Sequence, residues 1–408
     1  MRQRLCLILA MLMTVSSLVS CSGSGNDQKD TAPSSGTNTD TTTVETETPN
    51  IYEEAAAALP KEKYADKTFT ILTREEVSFE MDAESSTGEI TNDAATINGK
   101  LYTAAGDIAV TSILYSDCMF FNAALAEENG MSAEALQDTV FNKGWTIDYF
   151  NALVADLYTD VNGDGVKDES DFYGFATSPG NPSNGWLTAF DQAIVDVGKD
   201  GKITINLLSD KTISALEKMN RIHWEEQGVY NPGAWDLEIA RMLVNRNAIF
   251  TLGIFNDART KLAAMEDDFG ILPYPMWDEA QGTYYTGAND QFTVMVFPID
   301  TQEADYEYLG TILEALAIES ARTVRPAFYN SALKNRYSMD ANTAKIIDLI
   351  MEGRRFDFSF QYGNDILVPY MFRNQIIAKS NDLVSVYEKS QKTIETKLAV
   401  IAGYYGLE

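Results

Sequence analysis

Basic and metal-seeking side chains are scarce in this chain. Against 60 Asp and Glu stand 31 Lys and Arg, a single His and three Cys in 408 residues, for a formal charge of -29. A phosphate-binding face needs clustered Lys and Arg, so this balance argues against a nucleic-acid partner. An acidic excess spread along a chain ordinarily serves as a solubilising surface and does not by itself imply a cationic ligand. The lone His223 stands in the helical stretch MNRIHWEEQG with no neighbouring ligand at metal spacing. A surface or partly buried helix residue is expected there, not a base or a metal ligand. Cys6 and Cys21 lie at the front of the chain, which leaves Cys118 alone in the remainder. That excludes a disulfide framework and makes Cys118 a small core residue. No G-x-S-x-G elbow, P-loop or G-x-G-x-x-G is present, which disfavours several enzyme classes but weighs little against glycosidases.

The front of the chain has the three parts of an export signal. Arg2 and Arg4 precede an apolar run from Leu5 to Met13, and small residues precede Cys21. The run is too short to span a bilayer, and no second long apolar stretch follows. Leu18, Val19, Ser20 and Cys21 match the bacterial lipobox. Residues 1–20 are therefore expected to be a lipoprotein signal peptide, with a diacylglyceryl lipid on Cys21 holding the protein at the extracytoplasmic face of the cell membrane. Lipid anchoring of this kind gains about 0.8 kcal/mol per buried methylene. The alternative is an ordinary secretory signal that ends near a cysteine. Residues 21–50 are Ser, Gly, Thr, Asp, Asn, Glu and Pro almost throughout. Such a segment buries too little apolar surface to offset its ordering entropy and reads as a disordered tether.

Residues 51–408 are long enough for a two-lobed body and carry helices interleaved with short apolar strands. Ile51 to Leu59 reads as a helix ending at Pro60, and Thr68 to Leu72 as an opening strand. Asn98 to Tyr102 reads as a turn feeding a strand, and Ile108 to Tyr115 continues in apolar and β-branched residues. Ile147, Phe150, Leu153, Val154 and Leu157 share one face of a helix that Thr146 caps and that runs to about Thr159. Strands are expected at Phe172 to Ala176, Ile203 to Leu207 and Gln291 to Phe297, and helices at Tyr308 to Leu316, Ala344 to Met351 and Leu383 to Ile401.

The strongest chemical motif runs from Asp160 to Asp171, DVNGDGVKDESD. Oxygen-bearing side chains stand at its positions 1, 3, 5, 9 and 12: Asp160, Asn162, Asp164, Asp168 and Asp171. Val166 at position 7 would offer its main-chain carbonyl, and Gly165 sits at the sharp turn. Calcium takes six to eight hard oxygens, and alternate residues of a curled loop aim them at one centre. A single structural calcium between a helix and a strand is the expectation; the other reading is an Asp/Asn/Gly turn. Among large rings, Trp186 in SPGNPSNGWLTAF and Trp235 after Asn231-Pro232-Gly233 stand in loops with no periodic core role. They are candidates to stack on a sugar. Trp145, at the start of a helix, reads as packing.

Several segments resemble the family 1 extracellular solute-binding proteins of ABC importers, the maltose-binding-protein-like group. They are DFGILPYPMWDEAQGTYY from Asp268, EALAIESARTVRPAFYNSALKNRY from Glu314, GKLYTAAGD from Gly99, FFNAALAEENG from Phe120, GWTIDYF from Gly144 and IIDLIMEGRRFDF from Ile346. The resemblance spans about Thr68 to the end of the chain. It implies a type II periplasmic-binding-protein-like α/β fold with two lobes, a hinge and an interlobe cleft. Lobe one would take about 64–114 and 276–320, lobe two about 115–275 and 321–408. It also implies a small-molecule solute, a mono- or oligosaccharide, delivered by a monomeric protein to ABC permease subunits. By position it suggests Asp107, Phe255, Tyr285 and Tyr370 as further cleft residues. Where relatives carry more α/β elements of lobe one, this chain has only the polar segment Glu75 to Thr96. Two other functions stay open: a surface glycan hydrolase using paired carboxylates, and a non-transporting adhesin or scaffold subunit.

Overall fold

The computed structural model describes residues 55–59, five short strand pieces between 85 and 108, and residues 109–198, 202–234, 236–288, 293–297, 301–328 and 341–406. The signal, Cys21, the tether, the strand expected at 68–72 and most of the polar segment 75–96 lie outside them, as does Trp235.

Asp117–Asn122 (β1) is buried at all six positions. A strand buried on both faces reads as an unbroken apolar run, not as alternation, and CMFF in its middle is such a run. Downstream come Tyr158–Thr159 (β2), Phe172–Ala176 (β3), Val229–Tyr230 (β4), Ala248–Ile254 (β5) and Phe269–Leu272 (β6). They form one sheet in the order β4-β3-β5-β1-β6, with β2 paired to β3. β3 is parallel to both β4 and β5, whereas β1 runs antiparallel to β5 and β6. An earlier strand inserted antiparallel between later ones makes this a mixed sheet with helices packed on it, in agreement with the expected α/β class.

The helix Ile147–Val154 (α1) starts where Thr146 predicts: its side chain accepts from Tyr149 N at 3.2 Å, and Asp148 stands in the first turn. Ile147, Phe150 and Val154 are buried. Phe150 meets Phe175 and Phe250 edge-on at 5.0 and 5.5 Å, and Trp145 covers it at 5.6 Å while donating Nε1–H to the Pro273 carbonyl at 2.9 Å. Trp145 is thus packing, as read. The helix stops short of Thr159 because the sheet claims the next backbone groups: Gly174 N donates to Leu157 O at 2.7 Å, and Tyr158 pairs with Tyr173.

A second departure is Val110–Leu114, which is helical despite its β-branched residues. Short apolar runs carry no usable period, and tertiary contacts decide them. Here the helix turns Thr111 and Ser112 toward partners. Thr111 Oγ1 accepts from Thr293 N at 3.0 Å, and the Ser112 carbonyl accepts from the buried Arg354 guanidinium at 3.0 Å. Next to these contacts Ser116 bridges Ala288, so two chain segments run side by side where they leave the sheet. Beyond them, Tyr306–Arg322 (α2) packs on the strand pieces Ser85–Ser86 and Asp107–Ile108. The helices expected near the end are present, longer than read, as Ala341–Glu352 and Leu383–Tyr404 (α3). Of the strand expected at 291–297, Met295–Val296 is described. No helix among the described residues is long and apolar enough to cross a membrane.

Cys118 is fully buried, as expected. His223 is not the surface or half-exposed residue expected; it lies inside, 2% exposed, on the helix Asp210–Trp224. Its Nδ1 pairs with the Asn231 side-chain amide at 3.0 Å, and Nε2 meets no partner among the described residues. Burial pushes its pKa from 6.5 down to about 3. Between those values the unfolded chain holds the proton and the folded chain does not. Stability is therefore complete above about pH 6.5 and falls as the pH drops toward 3. Because the chain has one histidine, the effect is assignable. Urea unfolding should show stability falling by up to about 1.4 kcal/mol per pH unit below about pH 6. His223→Gln should flatten that slope above about pH 5, where carboxylates contribute little, and equal slopes in the two proteins would refute the burial argument.

Candidate functional site

Among the described residues, five separated stretches close around a cavity of ≈ 320 Å³: the head of β1, the turn and short helix at 184–188, residues 287–288, Val294, and residues 355–362. Asp117 belongs to the lining yet is only 4% exposed. Its carboxylate is wedged against two glycines. A methyl group on Gly185 would come within 2.7 Å of Asp117 Oδ2, and one on Gly287 within 2.5 Å. Hydrogen is the only side chain that leaves this carboxylate its place.

A further part of the wall comes from RFDFSFQY, residues 355–362. Arg355 lays its guanidinium on the ring of Tyr285, 3.2 Å from the centroid, and pairs with Asp191. Both members of the ion pair are more than two-fifths exposed, so the pair contributes little to stability. Asp357 is a different acid. It accepts from Ile194 N at 2.7 Å, Val195 N at 3.4 Å, Ser359 N at 2.8 Å and Ser359 Oγ at 2.5 Å. In doing so it caps the helix Phe358–Gln361 and ties it to the strand Val195–Val197. Burial raises its pKa, and the Ser359 and main-chain donors oppose the rise. Phe356, Phe360 and Tyr362 supply aromatic surface, while Asn184, Thr188 and Gln361 supply neutral polar groups. The Tyr362 hydroxyl shares a hydrogen bond with that of Tyr405 near the end of α3, which fixes the ring.

The ligand candidates read from the sequence fall differently. Trp186 is in the core and does not face the cavity: it is 0% exposed, stacked on Phe190 at 5.7 Å and tilted on Tyr274 at 5.0 Å. Its helix, Gly185–Ala189, offers the cavity Thr188 and turns the indole the other way. Phe255 is also 0% exposed, beside Phe328 at 6.5 Å. Tyr285 and Tyr370 stand one layer behind the wall, Tyr285 under Arg355 and Tyr370 against Phe360 at 6.0 Å and under Arg373 at 4.4 Å. Asp107 lies in a strand piece paired with Ser85–Ser86. What was missed has a local signal: Asp117 is a lone acid opening an apolar run, and residues 354–362 crowd charges and rings together.

The loop at 160–171 curls as its glycines require, with positive φ of 72° at Gly163 and 70° at Gly165. Asp160 accepts from Gly163 N at 2.7 Å and Gly165 N at 3.0 Å, and Asp164 accepts from Val166 N at 2.7 Å. Asn162 accepts from Asp164 N at 2.9 Å. Ser170 donates twice to Asp168 Oδ1 and holds its carboxyl below the usual carboxylate range. Asp171, fully buried, takes Val161 N at 3.2 Å and the Tyr158 hydroxyl at 3.0 Å. Among the described residues no three acids, His or Cys are grouped so as to hold a metal ion. Asp160, Asn162 and Asp164 spend oxygens on main-chain N–H groups of the loop, and Asp168 and Asp171 on loop and strand groups.

No protein-family model and no curated protein matches the chain. Among solved structures the chain is similar to solute-binding proteins. The maltose/maltodextrin-binding domain MalE from Bdellovibrio bacteriovorus, bound to maltotriose, is 17% identical over 75% of each chain, with a TM-score of 0.48. The sugar-binding protein MalE from Xanthomonas citri is 16% identical over 78% of this chain and 75% of its own, TM-score 0.48. UgpB from Mycobacterium tuberculosis, in complex with glycerophosphocholine, is 15% identical over 75% and 73%, TM-score 0.46. Likeness at this level decides neither ligand nor site.

Proposed function

We propose that the cavity captures a small polar solute, a carbohydrate, and that the chain is the extracytoplasmic, membrane-tethered solute-binding lipoprotein of an ABC importer. The carrying observation is the composition of the cavity wall: aromatic surface, neutral amide and hydroxyl groups, and a buried carboxylate gathered around ≈ 320 Å³. Rings match the C–H faces of a sugar, and amides and carboxylates take its hydroxyls. The volume suits a solute of one or two rings. A glycan hydrolase needs two carboxyl groups free to exchange protons and attack. Asp357 is committed to four donors, which favours capture over catalysis. In this reading the two lobes close on the solute, and affinity reflects the difference in contacts between the open and closed forms. The closed monomer then docks on permease subunits.

The tether rests on the lipobox at Leu18 to Cys21 and the polar stretch behind it. The calcium reading rests on the spacing of Asp160, Asn162, Asp164, Asp168 and Asp171 and on the left-handed glycines that curl the loop. Bound there, the ion would brace α1 and β3 by drawing Asp168 and Asp171 into one oxygen shell with the first three ligands. In doing so it would exchange their present hydrogen bonds for charge-assisted contacts.

Three measurements check these proposals. A thermal-shift screen over neutral and amino mono- and oligosaccharides should find a stabilising solute. Ligand at a hundred times Kd adds about 2.7 kcal/mol, a rise of a few degrees; a screen without any shift refutes carbohydrate capture. Cys21→Ser should move the protein from the membrane to the soluble fraction, and a variant that stays on the membrane rules out the lipid tether. Chelation by EDTA should lower Tm, with recovery on adding calcium; a melt indifferent to both leaves the loop a plain turn.

A further inference from the structure

The geometry points to Arg354 as a positioning residue for the solute: its buried guanidinium locks three segments of chain together at the joint from which they run into the cavity wall. This deepens the capture reading and rests on the cavity being the solute site. The three segments meet in pairs. Ser116 bridges Ala288, and Thr286–Gly287 runs parallel to Arg354–Arg355, with Thr286 N donating to the Gly353 carbonyl at 2.8 Å. Backbone approaches backbone here, since a methyl group on Gly353 would run into the Tyr284 carbonyl. From the joint each segment passes directly into the wall: Asp117 on the first, Gly287 and Ala288 on the second, Arg355, Phe356 and Asp357 on the third.

Arg354 closes this joint from inside. It is 6% exposed; its Nη1 donates to the Ser112 carbonyl at 3.0 Å and to Ser112 Oγ at 3.2 Å, and its Nε to the Met351 carbonyl at 3.3 Å. Ser116 Oγ completes the ring of contacts, donating to the same Ser112 carbonyl at 2.9 Å and lying 3.9 Å from Met351 Sδ. A guanidinium offers donors only, in a rigid fork. One carbonyl on its own segment and one on the segment before β1 are therefore held at a fixed spacing, whatever side chains those segments carry. An apolar residue often fills such a space at no loss of stability. What the arginine adds is a defined crossing. Successive side chains of a strand point to opposite faces, so Arg354 turned into the joint leaves Arg355 to the cavity. A shift at the joint moves several parts of the wall at once, and a solute bridging them loses its contacts together.

The test sets two readouts side by side on the full chain. Arg354→Met removes the donors at similar length, and Arg354→Lys keeps a cation without the fork. Val154→Ala thins the core under α1 and serves as the reference for lost stability alone. Calorimetric titration uses glucose, galactose, glucosamine and maltose, at a temperature where each protein is folded. For the sugar that binds, Arg354→Met should raise Kd at least about ten-fold and Arg354→Lys by a smaller factor. Val154→Ala, at a similar loss of Tm, should change it less than about two-fold. Amide exchange at Thr286 and Thr293, which donate to Gly353 and Thr111 at the joint, should quicken in Arg354→Met ahead of global unfolding and not in Val154→Ala. Where Arg354→Met does not fold, Arg354→Lys carries both comparisons. Losses of affinity that follow Tm alike in the Arg354 and Val154 variants overturn the inference and leave solute capture standing. So does exchange at Thr286 and Thr293 that neither Arg354 variant alters. Failure of all four sugars on the unaltered chain overturns carbohydrate capture itself, and the positioning role with it.

Discussion

The strand Asp117–Asn122 is the constraint on which the rest depends. It is buried on both faces, antiparallel to a neighbour on either side, and reached by the chain before those neighbours exist. Every backbone N–H and C=O of such a strand must find a partner in the sheet or be left unsatisfied at a cost of about 1–3 kcal/mol each. Its register therefore admits little slippage, and a one-residue shift would exchange the residues facing the two sides of the sheet. Fixing the strand also fixes its two ends. At one, the Asn122 side chain accepts from Leu125 N at 2.9 Å and turns the chain into a helix. At the other, Asp117 is delivered to the cavity.

This explains why the elements were more legible than the site. The helix at 147–154 announces itself through a cap and a 3–4 spacing, and the strand at 172–176 through aromatic crowding, because both signals are local. The helix at 110–114 was hidden because its deciding contacts, Thr293 and Arg354, lie about two hundred residues downstream. Trp186 misled for a similar reason. A loop rich in Gly, Pro and Asn says that the backbone turns, but which way the indole goes depends on Phe190 and Tyr274. His223 looked half exposed in an amphipathic helix until the packing of its helix buried the ring and let Asn231 supply the hydrogen bond.

The cavity is assembled from segments between residues 117 and 362, and no window of sequence contains it. Only two hints were local: an acid opening an apolar run, and the dense RRFDFSFQY. Both fall at strand ends beside the place where Ser116 bridges Ala288. Ends of strands are where the sheet stops consuming polar groups and side chains can face open space. Gly185 and Gly287 follow the same logic from the other direction. Nothing in their neighbours in sequence calls for glycine; the Asp117 carboxylate does.

Charge at long range acts on approach, whereas the cavity wall acts on fit. A chain carrying -29 repels an anionic solute during approach, but only within a screening length of about 8 Å at physiological salt. That field governs encounter rate more than affinity, and it weakens as salt rises. Contacts inside the cavity, where Asp117 is nearly sealed from water, are little screened by salt. The two contributions separate experimentally along this line. A solute preference that vanished at high ionic strength would belong to the surface, whereas one that persisted would belong to the cavity wall.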